Sequence, residues 1–388
     1  MFYLILITLI GINIAPHIFF KHNIWEAQGM WAQLGILICF SWTFIEKQKF
    51  EEPKNMSIGL MHFWVGLMTW VWCSYVALKG SAPIHPILGY FNFLCIVMFY
   101  RIIVQYLNIR DFMVVYEFLR YSIIATLLVC VLQYFGFSQF FILLHPDYQG
   151  GTFINNLVCG FLGNGTHLSG FLAMCLPLFF FKRNREDWLS IILLLLVLGI
   201  CGQNKGDMPI SGVVVAVSVT LYYVFHVKRP LFWIFAGIIG LVGVSSYFLA
   251  SEGYLETFLR PQGRLVWWMD FILAAQSKFI SGIGVGSVLL TGIKTEYPKH
   301  LHNEYIQFLV EIGLAGLILM VGVILDFVKT EVHPLGLIYK TIFIGFLVSA
   351  VFTYPMHLWL PTMYACFCYA AVMALKEKNK NAFNPQNN

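Results

Sequence analysis

From residue 57 to residue 78 the chain runs for about six helical turns without one Asp, Glu, Lys or Arg. A helix of roughly 20 apolar residues is long enough to cross the hydrocarbon of a bilayer. Runs of this kind recur along most of the chain. They predict an all-α fold, a polytopic transmembrane helical bundle of about 12 spans. Approximate limits are 1–20, 28–45, 57–78, 84–100, 116–136, 165–181, 188–203, 209–227, 230–250, 303–327, 335–354 and 357–375. Composition agrees: 59% of the residues are hydrophobic and 11% charged, against about 25% charged in a soluble domain. One water-facing globule could not hide that much apolar surface. The first run lacks a basic start and a small-residue cleavage site, so it is expected to stay as a helix and not to be removed as a signal peptide.

Positive loops remain on the cytoplasmic side. With a cytoplasmic N-terminus, the inner segments carry Lys47, Lys49 and Lys54; Arg101, Arg110 and Arg120; Lys182, Arg183 and Arg185; Lys228 and Arg229; Lys329; and Lys376, Lys378 and Lys380. The short outer connections hold only Lys21, Lys79 and Lys205. Both termini are therefore expected inside. One long loop, about 251–302, is expected outside, because loops of that length translocate despite their charge. Residues 1–375 form a single transmembrane domain in this reading, and 376–388 a polar cytoplasmic tail. The net charge of +5 mostly reflects the inner-face bias, and no nucleic-acid partner is expected. The cysteines fall mainly inside predicted spans, with neither zinc-site nor disulfide spacing; they read as small packing residues.

Polar residues gather at the outer ends of the spans. In "HLHNEYIQFLVEIGLAG", residues 300–316, two histidines, an asparagine and two glutamates open a long apolar run. Taken as a helix, Asn303, Gln307 and Glu311 are four apart and share a face, with Glu304 on its flank. Ionisable residues inside a membrane usually face the bundle interior or a cavity, so Glu311 is expected inside in a structural role. Gly313 and Gly316 permit close helix packing. His302 lies about 100° from Asn303 on the wheel. It can serve chemistry only from the open helix N-terminus, where the positive helix end favours a neutral imidazole. Upstream, "LRPQGRLVWWMDFILAAQSKFISGIGVGS", residues 259–287, reads as an interfacial helix opened by Arg264. Leu265, Trp268, Ile272 and Leu273 share one face, with Trp267 beside them. Arg264 does not help the helix dipole, which suggests an anionic partner. "GIGVG" lacks the strand and the GK[ST] of a nucleotide loop, so no nucleotide site is expected. Asn155, Asn156, Asn164 and His167 stand at the start of another span and could line a cavity. Lys205 is the only cation of its outer turn.

Together these segments, over about 150–325, resemble the O-antigen ligase and O-antigen polymerase family of bacterial membrane proteins. The family motif His-Asn-x-Tyr followed by Glu-x-Gly and a further Gly is matched by His302, Asn303, Tyr305, Glu311, Gly313 and Gly316. Its loop arginine with a nearby tryptophan, then Gly-x-Gly-x-Gly, is matched by Arg264, Trp267 or Trp268, and Gly282, Gly284 and Gly286. The family's Ser-Arg-Gly turn stands here as Asn204-Lys205-Gly206, which keeps the charge but loses the bidentate fork. The resemblance implies a metal-independent, cofactor-free glycan transfer at the outer face of the bacterial inner membrane. The donor would be a glycan on undecaprenyl diphosphate, and the acceptor lipid A–core (a ligase) or another lipid-linked glycan (a polymerase). His302 would be the general base and Arg264 would bind the diphosphate. Lys205, Arg260, Asn303, His300 and Asn164 would be substrate-binding, and Glu311, Gly313 and Gly316 structural. A transporter is the competing class; it calls for repeated halves and polar residues near the midplane.

Overall fold

The computed structural model describes residues 1–18, 24–46, 56–80, 84–137, 158, 160–162, 165–179, 191–194, 196–197, 264–286, 301, 303–330, 334–351 and 355–382. Among these the chain is about 89% helical, with no strand. The helices are α1 (Phe2–Ile18), α2 (Ile24–Ile45), α3 (Met56–Leu78), α4 (Ile84–Tyr106) and α5 (Ile109–Leu132). They continue with α6 (Gly165–Cys175), α7 (Arg264–Ala274), α8 (Glu304–Lys329), α9 (Pro334–Ser349) and α10 (Trp359–Ala382). Five stretches are long and apolar enough to cross a membrane: Glu26–Ile45, Met56–Leu78, Ile84–Tyr106, Ile109–Phe135 and Glu304–Lys329. The protein is a membrane-embedded helical bundle. Expected spans 209–227 and 230–250 lie outside the described residues, and 188–203 is described only at 191–194 and 196–197.

Burial separates the inner helices from the lipid-facing ones. Along α10, Leu360, Met363, Phe367, Cys368, Ala370 and Ala371 are fully buried. Its alanines and cysteines keep the surface low, so α4 and α9 pack closely on it. By contrast α3 turns Phe63, Trp70 and Leu78 outward, at 67%, 73% and 89% exposure, as a helix bathed in lipid should. Helix α10 runs on through Ala382, beyond the expected start of a polar tail at 376. The connection expected between spans 84–100 and 116–136 is also mostly helical. Asn108 caps α5, its side chain accepting from Asp111 N at 3.1 Å while its own N–H donates to the Asp111 carboxylate at 2.9 Å. Arg101 and Arg110 therefore sit on helices.

The expected span 303–327 is not one continuous helix. At Gly313 the backbone leaves helical geometry, with φ 70° and ψ −178°. Three carbonyls at the break take outside donors: Ile283 N–H to Val310 O at 3.0 Å, Gly284 N–H to Glu311 O at 2.7 Å, and the Trp64 indole to Ile312 O at 2.9 Å. Beyond the break, Leu314 N–H and Ala315 N–H donate to Phe279 O and Ile280 O, at 2.9 and 3.2 Å. The glycine-rich segment 282–286 thus crosses α8 backbone to backbone. A Cβ on Gly282 would run into the Glu311 carbonyl, and one on Gly313 into the Ile280 carbonyl. Both residues have positive φ, so glycine is required twice over. Gly316 has a smaller task than close helix packing, since its missing Cβ leaves room for the Ile312 side chain.

At the far end of α8, Lys340 is 5% exposed and donates to Val328 O at 2.6 Å and Thr330 O at 2.9 Å. It answers the carbonyls left over where a helix ends.

Two measurements test these joints. Alanine at Gly282 or Gly313 should cost more than the ~1–2 kcal/mol of a left-handed residue, because the crossing must also open; thermal unfolding in detergent should show it as a large loss of midpoint. Lys340→Met should cost about 1–3 kcal/mol by stranding two buried carbonyls, read in the same assay.

Candidate functional site

One end of the bundle collects the turn after α3, the segment 276–286, the start of α8 and the connection from α9 to α10. Interior packing against this corner comes from α7. The residues turned inward are Trp268, Phe271 and Ile272 of α7 and Ala275 just past its end, which cluster with Trp72, Ile283, Leu301 and Val310. Leu273, expected on that face, is 53% exposed; the buried spacing is i, i+3, i+4, i+7, which leaves it on the other side. The Trp268 indole donates to Leu301 O at 2.7 Å. This bond fastens α7, one turn after its first residue Arg264, to the residue preceding His302.

The start of α8 is fixed from several directions. Asn303 is not in the helix but caps it, with φ −154° and ψ 108°; its side-chain oxygen accepts from Ile306 N at 3.1 Å. The shared helical face therefore belongs to Gln307 and Glu311 alone. Glu304 N–H donates to Ala350 O at 2.9 Å, and the Tyr305 hydroxyl to Leu347 O at 2.8 Å. Leu301 N–H donates to Gln307 Oε1 at 3.3 Å.

A chain of buried polar groups follows. Glu304 is fully buried, Gln307 3% exposed and Glu311 2% exposed. Met356 N–H donates to Glu304 Oε1 at 2.7 Å. His357 Nδ1 lies 3.0 Å from Glu304 Oε2 and 3.2 Å from Oε1. His357 Nε2 is 2.8 Å from Gln307 Nε2, and the same amide nitrogen donates to Glu311 Oε1 at 3.2 Å. Sequence reasoning missed His357. A lone histidine at a predicted span boundary carries no local signal, and only the burial of Glu304, 53 residues away, gives it a partner.

His357 ends the short connection from α9 to α10 and is the first residue of the expected span 357–375. The Gln307 amide nitrogen facing Nε2 suits the neutral ring. Charging the ring sets two N–H donors head to head, so Gln307 must turn its oxygen toward His357 and release Leu301 N–H and Glu311.

Gln307, Glu311 and His357 of this chain also line an open cavity of about 420 Å³ among α3, α4, α8, α9 and α10. His85 and Asn92 line it too, with apolar residues that include Ile96, Val97, Phe343, Phe346 and Tyr369. Neither His167 nor Lys340 is among its lining residues; His167 is buried at 5% exposure.

Of the residues singled out from the sequence, Arg264 does open α7, though its side chain lies outside the described residues. His302, His300, Arg260, Lys205 and Asn164, with Asn155 and Asn156, lie outside them altogether. Asn303, Glu311 and Gly313 are brought together at the corner. Among the described residues no group of three His, Cys, Asp or Glu is placed to hold a metal. No protein-family model matches the chain, and no curated protein matches it.

Glu304→Gln should lower the stability of the protein to unfolding in detergent by an amount on the order of 1–3 kcal/mol, because the carboxylate bonded to Met356 and His357 is buried.

Proposed function

We infer that the chain is an O-antigen ligase-type glycosyltransferase of a bacterial inner membrane. It has about twelve spans, cytoplasmic termini and the 251–302 loop outside. It moves a glycan from undecaprenyl diphosphate to a hydroxyl acceptor such as lipid A–core. The observation carrying this reading is the bond from Trp268 to Leu301. It supports a common site for the helix that Arg264 opens and the chain next to His302, at one end of the bundle.

The chemistry follows from the side chains. The acceptor oxygen attacks the anomeric carbon as its proton passes to a neutral His302. The bond from that carbon to the diphosphate oxygen breaks with inversion, and the lipid diphosphate leaves with the electron pair. Arg264 offers paired, charge-assisted hydrogen bonds to the departing oxygens, with Arg260 or Lys205 as a second cation. Asn303 holds the turn, while His300 and Asn164 complete the substrate-facing set. The apolar cavity beside the corner is suited to an isoprenoid chain, which supports a lipid-linked donor.

Transport is the weaker reading. Broken transporter helices leave backbone groups free for an ion, whereas those at Gly313 are engaged by Ile283, Gly284 and Trp64. The polymerase alternative uses the same site with a lipid-linked glycan as acceptor. Deletion in the native host separates the two: a ligase mutant accumulates long lipid-linked glycan, a polymerase mutant leaves single repeat units on the surface lipid.

His302→Ala should lower transfer by ~10²–10⁴-fold, the usual worth of a general base, at unchanged membrane abundance. Arg264→Ala should abolish transfer and Arg264→Lys restore little. Gel analysis of cell-surface glycan reads both, and full turnover in either alanine variant would remove that residue from the mechanism.

A further inference from the structure

Two of the few cations on the outer side meet on one aromatic ring. Lys278 Nζ lies 4.4 Å from the Tyr75 ring centroid and 4.6 Å from that of Trp72. Lys79 Nζ lies 4.6 Å from the same Tyr75 centroid. Lys79 comes from the turn ending α3 and Lys278 from the short helix after α7, so the pairing is tertiary and not a sequence neighbourhood. Neither lysine has a carboxylate within ion-pair distance among the described residues.

Like charges repel, and Lys79, being exposed, has open space into which to swing away. It instead shares the ring with Lys278. Attraction to the ring face explains why each lysine lies there, but not why two do so without a counter-ion. The location supplies the reason. Trp72 and Tyr75 occupy the last two turns of an apolar span, the level at which aromatic side chains meet lipid headgroups. The anions at that level are phosphates, which lysine binds as a point charge.

We propose that Lys79 and Lys278, held on Trp72 and Tyr75, form a binding site for the phosphate group of a membrane lipid. Trp72 also packs in the cluster that includes Trp268 and Leu301, so a phosphate held here lies beside the candidate corner. The same chemistry is offered by a bulk anionic phospholipid and by a phosphorylated glycolipid substrate.

The full-length protein in detergent, titrated with dioctanoyl phosphatidic acid, should show a saturable rise in unfolding temperature that dioctanoyl phosphatidylcholine does not produce. Lys79→Ala/Lys278→Ala should raise the half-saturating concentration at least tenfold, and Lys79→Arg/Lys278→Arg should preserve binding. This readout needs no turnover, so it stands apart from the proposed reaction. Turnover of a lipid-linked donor then identifies the source: a raised KM at unchanged kcat in the double alanine variant assigns the site to substrate, and an unchanged KM assigns it to bulk lipid. Equal phosphatidic acid binding by the wild type and the double alanine variant overturns the site.

Discussion

A helix cannot be interrupted inside a membrane unless protein groups or water in a cavity answer its backbone, because lipid cannot. At Gly313 the answer is a second stretch of backbone, with one indole. Two glycines, Gly282 and Gly313, let the main chains touch, and the hydrogen bonds lost along α8 are replaced across the crossing. The geometry of the corner follows from this exchange. It seats Gly282 to Gly286 in the bundle and brings Val285 and Gly286 against Gly89 and His85 of α4. It also turns the first part of α8 so that Gln307 and Glu311 face the cavity.

The buried acids make sense within that frame. Glu304 is bound at its own N–H by Ala350 and at its carboxylate by Met356 and His357. It thereby ties the α9–α10 connection to the start of α8. Gln307 links this knot to Leu301 on one side and Glu311 on the other. The carboxylates in "HLHNEYIQFLVEIGLAG" are thus framework, in which side chains from α7, α8 and the α9–α10 connection hold the start of α8 in place.

The helices were legible because lipid imposes a simple demand: a span must be apolar for about 20 residues, and such runs stand out without any partner being known. Their ends were less legible. Arg101 and Arg110 fall between the expected spans 84–100 and 116–136, yet the Asn108–Asp111 cap joins α4 and α5 almost directly and leaves both on helices. Gly313 read as a packing glycine, since nothing local tells a glycine that faces a helix from one that breaks it. Asn303 read as part of a helical face because a cap and a first helical residue differ by one backbone conformation. His357, Lys79 and Lys278 had no local signal. Each acquires a role from a partner far along the chain, and pattern within a window does not report such partners.

The Trp64 indole bond to Ile312 O has a consequence for how the protein is made. Synthesis delivers α3 and then the 276–286 segment well before α8. When α8 enters the membrane, predominantly apolar, an unbroken helix satisfies its backbone, and the break replaces those bonds only where its partners already wait. The crossing is therefore a late step of assembly, and chain order matters to it: with α8 moved ahead of the glycine segment, the helix would arrive with nothing to break against.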